Sequence, residues 1–144
     1  MKAEKTSIAD ALHKAHVALM KDVEGLEKAL GGDQPAAAGD LVRKLTTLRT
    51  HVLQHFRFEE QDGYMDAVSS RMPHKGKVVK ELLDEHKAMA DDLDGLIESA
   101  RSARAVDASF GGRLRAWIAA MRKHETRENL LVEDAFCQDV GNKD

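Results

Sequence analysis

The chain has 144 residues and a formal net charge of −3, the size of one domain and too acidic for a broad nucleic-acid-binding face. Hydrophobic residues make up 42% and charged residues 33%, against 4% aromatics and few Gly and Pro, a balance that favours helix over strand. No apolar run reaches the roughly 20 residues of a membrane span, the N-terminus "MKAEKTSIADALHKAH" lacks an apolar signal core, and the one cysteine, Cys137, excludes an internal disulfide, so a cytoplasmic chain is expected.

In chain order, Leu12, His16, Leu19, Val23, Leu26 and Leu30 step by four and three along one helix face, with Thr6 or Ser7 placed to cap its start. "GGDQPAAAG" (31–39) breaks the chain. Leu41, Leu45, Leu48, Val52, His55 and Glu59 form the second stripe, and "SSRMPHK" (69–75) is the next expected break. Val79, Leu82, His86, Met89, Leu93 and Leu96 form the third. After the connector "RSARAVDAS" (101–109), Leu114, Trp117, Met121, His124, Glu128, Leu131 and Ala135 form the fourth. Four amphipathic helices with short connections predict an all-α fold, an up-down-up-down antiparallel four-helix bundle. One domain is expected over 1–144, with its core at about 6–136.

Each stripe carries one histidine where leucine is expected, and the second and fourth carry a glutamate four residues later. Antiparallel neighbours align residues equidistant from their connecting loop. The pairs 16/55, 55/86 and 86/124 are centred on 35.5, 70.5 and 105, inside the three breaks. All four histidines are therefore expected at one height, with Glu59 and Glu128 a turn away. The two halves also repeat: "ALHKAHVALMKDVEGL" (11–26) aligns without gaps on "ELLDEHKAMADDLDGL" (81–96).

Histidines and glutamates on apolar faces can satisfy one another by hydrogen bonding, but a metal site accounts for the set better, since unpaired buried charge is strongly unfavourable. Imidazole and carboxylate are ligands for iron, manganese or zinc. Two glutamates among four histidines suit two metals, each carboxylate bridging the pair. The chain has no E-x-x-H, the signature of carboxylate-rich di-iron bundles. A histidine-rich set is less anionic and favours reduced iron binding a small ligand.

At "LHKAH", "HFRFEE", "LLDEH" and "HETRE" the sequence resembles a hemerythrin-like (HHE cation-binding) domain, over about residues 6 to 136. The resemblance implies two non-heme iron ions with an oxo or hydroxo bridge. His16, His55, His86 and His124 would be terminal ligands, and Glu59 and Glu128 would bridge. It implies binding of O2 or a related diatomic, as a sensor, scavenger or store. The alternative is an enzyme or iron-handling protein acting on peroxide or nitric oxide, or supplying iron for cluster repair. Repair relatives carry an N-terminal cysteine-bearing segment, which this sequence does not show. A third option is a binding module whose fold responds to iron. With no output domain in the sequence, sensing would need a separate protein partner.

O2-carrying members place two histidines on the third helix at H-x-x-x-H. Here Leu82 and Ala90 stand at that spacing from His86, and the final motif is H-x-x-x-E rather than histidine and aspartate. Both features match the broader hemerythrin-like group. His51 and His13 are weighed as additional ligands against a boundary and a packing role. Glu125 is expected as a surface acid pairing with Arg122, with a swing towards the metals as the alternative. Glu60, aligned with Asn129, is read as solvated or as an outer acceptor. His74 is expected to be exposed, Tyr64 to pack at a helix end or donate to the site, and Cys137 to be a bystander. Leu19, Phe56, Phe58, Met89, Trp117 and Met121 are expected to wall a dry pocket.

Overall fold

The computed structural model describes the backbone of residues 2–31, 38–61, 64–102 and 107–137, and the side chains of 9–31, 39–61, 64–102 and 107–136. The described residues are helical almost throughout and contain no strand. The elements are α1 (Lys2–Leu30), α2 (Ala38–Gln61), α3 (Tyr64–Arg71), a 3-10 turn (Pro73–Lys75), α4 (Gly76–Ser102), α5 (Ala108–Val132) and a π-helical turn (Glu133–Cys137). The centres of the first and third expected breaks, 32–37 and 103–106, lie outside the described residues.

Two expectations need correction. Helix α1 already runs through Thr6 and Ser7, so neither caps its start. The second stripe ends at Gln61, well before the expected break at 69–75, and Tyr64–Arg71 form a further helix. The missed signal is Asp62-Gly63, a turn-favouring pair. The start of α5 is capped by a residue of the connector: Asp107 is extended, and its side chain accepts from the Phe110 N–H at 2.8 Å.

The four long helices close a ring of contacts, α1 on α2, α2 on α4, α4 on α5 and α5 on α1. Their inner faces build two apolar clusters. The first takes Leu19, Val23 and Leu26 from α1, Leu41 through Phe56 from α2, Met89 through Ala100 from α4, and Phe110 through Met121 from α5. The second takes Leu12 from α1, Tyr64, Met65 and Val68 from α3, Val79 and Leu82 from α4, Leu131 and Val132 from α5, and Ala135 and Phe136 beyond it. Along α1 and α4 the chain meets the second cluster and then the first. Along α2 and α5 it meets the first, and the second cluster follows. Arg71 fastens α3 to the π-turn, reaching the Ala135 carbonyl at 3.4 Å and lying 5.1 Å over the Phe136 ring.

Each leucine buried as fully as Leu41, Leu45 or Leu93 contributes about 1.5–3 kcal/mol through removal from water. Between the two clusters this stabilisation is interrupted. His16, His55, Glu59, His86, His124, Glu125 and Glu128 are all buried there. Such a layer opposes folding unless its charges compensate one another or bind a counter-charge.

Candidate metal centre

A separation of four residues turns a helix by slightly more than one revolution, so His55 and Glu59 share the inner face of α2, and His124 and Glu128 that of α5. Their ring nitrogens and carboxylates lie 3.2 and 3.1 Å apart. His16 of α1 and His86 of α4 complete the layer. Glu59 spans it: Oε2 is 3.2 Å from His16 Nε2 and Oε1 is 3.1 Å from His86 Nε2. Glu128 does the same, with Oε1 3.4 Å from His16 Nε2 and Oε2 3.7 Å from His86 Nε2. Two groups thereby arise, His16, His55, Glu59 and Glu128, and Glu59, His86, His124 and Glu128. Within each, the donor atoms lie within 4.8 Å of one another, and each could hold a metal ion. The two glutamates belong to both.

Outer partners orient the imidazoles. His86 Nδ1 donates to Glu60 Oε2 at 2.7 Å, His124 Nδ1 to Glu85 Oε1 at 2.7 Å, and His16 Nδ1 to Asn129 Oδ1 at 2.8 Å. Arg127 in turn grips Glu85 at 2.5 Å and Glu81 at 3.0 Å. With the proton on Nδ1, each Nε2 presents its lone pair to the centre. His86 Nε2 and His124 Nε2 then face each other at 3.1 Å, which is repulsive unless a proton or a cation lies between them. Glu59 Oε1 and both oxygens of Glu128 and of Glu125 are buried without a hydrogen-bond partner, as are both nitrogens of His55. Buried polar atoms are rarely left so. Apart from His55 Nδ1, these atoms lie among the facing Nε2 atoms with several charges in contact, an arrangement that a bound cation would satisfy.

In the protein alone, protons take the role of the cation. Burial works against a charged His16, but the carboxylates of Glu125, Glu128 and Glu59 overcome it and raise the group to about 12. His55, opposed by burial and held by Glu125 and Glu59, rises to about 9. His86, opposed by burial and held by Glu128, Glu59 and Glu60, rises to about 10. His124 is raised as well, the Glu128 and Glu85 carboxylates outweighing burial. Conversely, Glu125 and Glu128 stay ionised: burial favours their neutral forms, and the facing histidines reverse it.

All six residues singled out by spacing meet in this layer. Glu125, expected on the surface beside Arg122, does not lie there. It is 4% exposed, with Oε2 2.5 Å from His16 Nε2 and Oε1 3.3 Å from His55 Nε2. Arg122 pairs with Glu27 instead. His51 and His13 stay outside: His51 is exposed and 2.5 Å from Asp22, and His13 is exposed on the groove between α1 and α5 that reaches His16 and Glu125. His74 is exposed as expected. Phe56 stacks on His86 at 3.9 Å with planes 8° apart, while Phe58 is half-buried against the second apolar cluster. Trp117 donates to the Met89 carbonyl at 2.9 Å, pinning α5 to α4 three residues from His86. Tyr64 is buried with an unpartnered hydroxyl. Burial pushes its phenol up, and Glu128, Glu59 and Glu125 push the same way, so it stays neutral. The side chain of Cys137 lies outside the described residues.

The family model described as "Hemerythrin HHE cation binding domain" matches residues 4–135. The chain belongs to the hemerythrin family. The layer of histidines and glutamates between the two apolar clusters, Glu125 included, lies within the matched residues. No curated protein and no solved structure matches the chain. Among the described residues, no helix is long and apolar enough to cross a membrane.

Proposed function

We propose that this hemerythrin-family chain is a non-heme di-iron protein that binds O2 or a related diatomic, as a sensor, scavenger or store. The carrying observation is the sharing of Glu59 and Glu128 between two histidine pairs, with carboxylate oxygens that have no hydrogen-bond partner. His16 and His55 would hold one iron and His86 and His124 the other, with the two glutamates bridging. The three buried carboxylates offset most of the four positive charges of two divalent ions. Reduced iron held by these residues would supply the electrons for binding a small diatomic.

The chain's own residues contribute orientation and dryness. Glu60, Glu85 and Asn129 fix three ring tautomers. Leu19, Phe56, Met89 and Met121 close the first apolar cluster against the layer and keep water out. The same reading takes the long helices as an up-down-up-down antiparallel bundle. The opposite order in which consecutive long helices meet the two clusters supports it.

Metal analysis, combined with visible spectra of the iron-loaded protein before and after air exposure, tests the proposal. Two irons per chain and a reversible absorption change on exposure are expected. One zinc per chain and no iron would overturn it. Turnover of peroxide or nitric oxide is the second reading, supported by the buried Tyr64 hydroxyl, which has no hydrogen-bond partner and which the charges of Glu128, Glu59 and Glu125 help to keep neutral. Under that reading the absorption change fails to reverse, peroxide is consumed, and Tyr64→Phe slows its consumption.

A further inference from the structure

The internal repeat sets His55 and Glu59 of α2 against His124 and Glu128 of α5, so Phe56 corresponds to Glu125. The two side chains take equivalent places on opposite sides of the layer. Phe56 lies flat on His86 at 3.9 Å and meets His124 edge-on at 6.0 Å. Glu125 lies against His16 and His55 at 2.5 and 3.3 Å. One histidine pair is thus walled by a phenyl ring and the other by a carboxylate.

The Glu125 carboxylate has three properties of a ligand. It is buried, neither oxygen has a hydrogen-bond partner, and both approach the Nε2 atoms of one histidine pair. His16 donates through Nδ1 to Asn129, so its Nε2 lone pair faces Glu125 Oε2 at a separation that two acceptors do not hold without a proton or cation between them. Arg122 does not neutralise Glu125 from outside, because it is engaged by Glu27.

We propose that Glu125 is a third carboxylate ligand of the metal position formed by His16 and His55, which makes the two positions unequal. Five protein groups then serve one position (His16, His55, Glu59, Glu128 and Glu125) and four serve the other. The outer partners are unequal in the opposite sense. The His86/His124 pair leans on two carboxylates, Glu60 and Glu85, whereas the His16/His55 pair has only the neutral Asn129. Negative charge stands behind the imidazoles on one side and beside them on the other.

The inference rests on the two-metal reading, and one experiment separates their failures. Metal-free protein is titrated anaerobically with Co(II), whose visible bands report coordination. Wild type is expected to take up two ions. Glu125→Gln, nearly the same shape without the charge, is expected to take up two with one step weakened at least about tenfold and its band altered. Glu125→Asp, which keeps the charge but shortens the reach, weakens the same step and guards against a folding defect in the first variant. In a His86→Ala background, where the His16/His55 position remains, E125Q weakens the surviving step. In His16→Ala it changes nothing. Unchanged binding in both Glu125 variants, or an effect confined to the His16→Ala background, overturns the assignment and leaves the two-metal reading standing. Fewer than two Co(II) in wild type overturns both.

Discussion

The His16/His55 and His86/His124 sides of the centre are built on one skeleton and finished differently. Each side takes one histidine from the first helix of a hairpin and one from an H-x-x-x-E motif on the second, and both share Glu59 and Glu128. Behind His86 stands Glu60, and behind His16 its repeat counterpart Asn129. Behind His124 stands Glu85, whereas the corresponding residue near His55 is Ala15, and His55 Nδ1 has no partner. Repetition therefore holds for the four histidines and the two shared glutamates, and fails at Phe56 and Glu125 beside them and at the partners one layer out. In that layer carboxylates raise the basicity of one pair of imidazoles and leave the other pair without that support.

Removing what the two sides share has the largest effect. Glu59→Ala or Glu128→Ala eliminates the metal pair, read as iron per chain, and retention of two irons by either variant contradicts the sharing. Next come the outer carboxylates. Glu85→Ala weakens one metal-binding step by about 10- to 100-fold, and Asn129→Ala weakens the other by less. Equal losses in a metal titration would erase the difference between the sides.

The metal-free protein offers a smaller, pH-dependent effect. A histidine raised from its usual 6.5 contributes stability that is fully present below 6.5 and is lost as pH rises through its folded value. With His55 at about 9 and His86 at about 10, urea midpoints of the metal-free protein should fall as pH passes through that range. Bound metal takes over from the protons, so the loaded protein should show a flatter profile. A flat profile without metal contradicts the carboxylate contacts. The smallest effect is expected from Ala15→Glu, which places a carboxylate near the bare Nδ1 of His55. It should tighten the His16/His55 step by less than about tenfold, without altering the other.

The stripes and the shared height of the histidines were legible because helical spacing and equidistance from a loop are properties of the sequence itself. All six residues they single out are in the layer. Glu125 was not legible by the same route. It follows His124 directly, and a residue one step on points about 100° away from its neighbour. Ile118, Met121, Glu125, Glu128 and Val132 nevertheless step by three and four, and all are buried, so α5 carries a second stripe beside the first. A helix flanked by two others buries a wider face than one seam reveals. Of the two readings of Glu60, solvated or an outer acceptor, the structure selects the acceptor, and its partner is a histidine of another helix, a contact that no spacing within α2 encodes. Helix α3 was obscured because a short helix carries too few periodic residues to separate it from the turn that follows.

Mössbauer spectroscopy of the anaerobically iron-loaded protein addresses the shared, unequal pair most directly. Two iron signals of equal area and distinct parameters, at two irons per chain, are the predicted result. A single signal from one isolated iron per chain would contradict it.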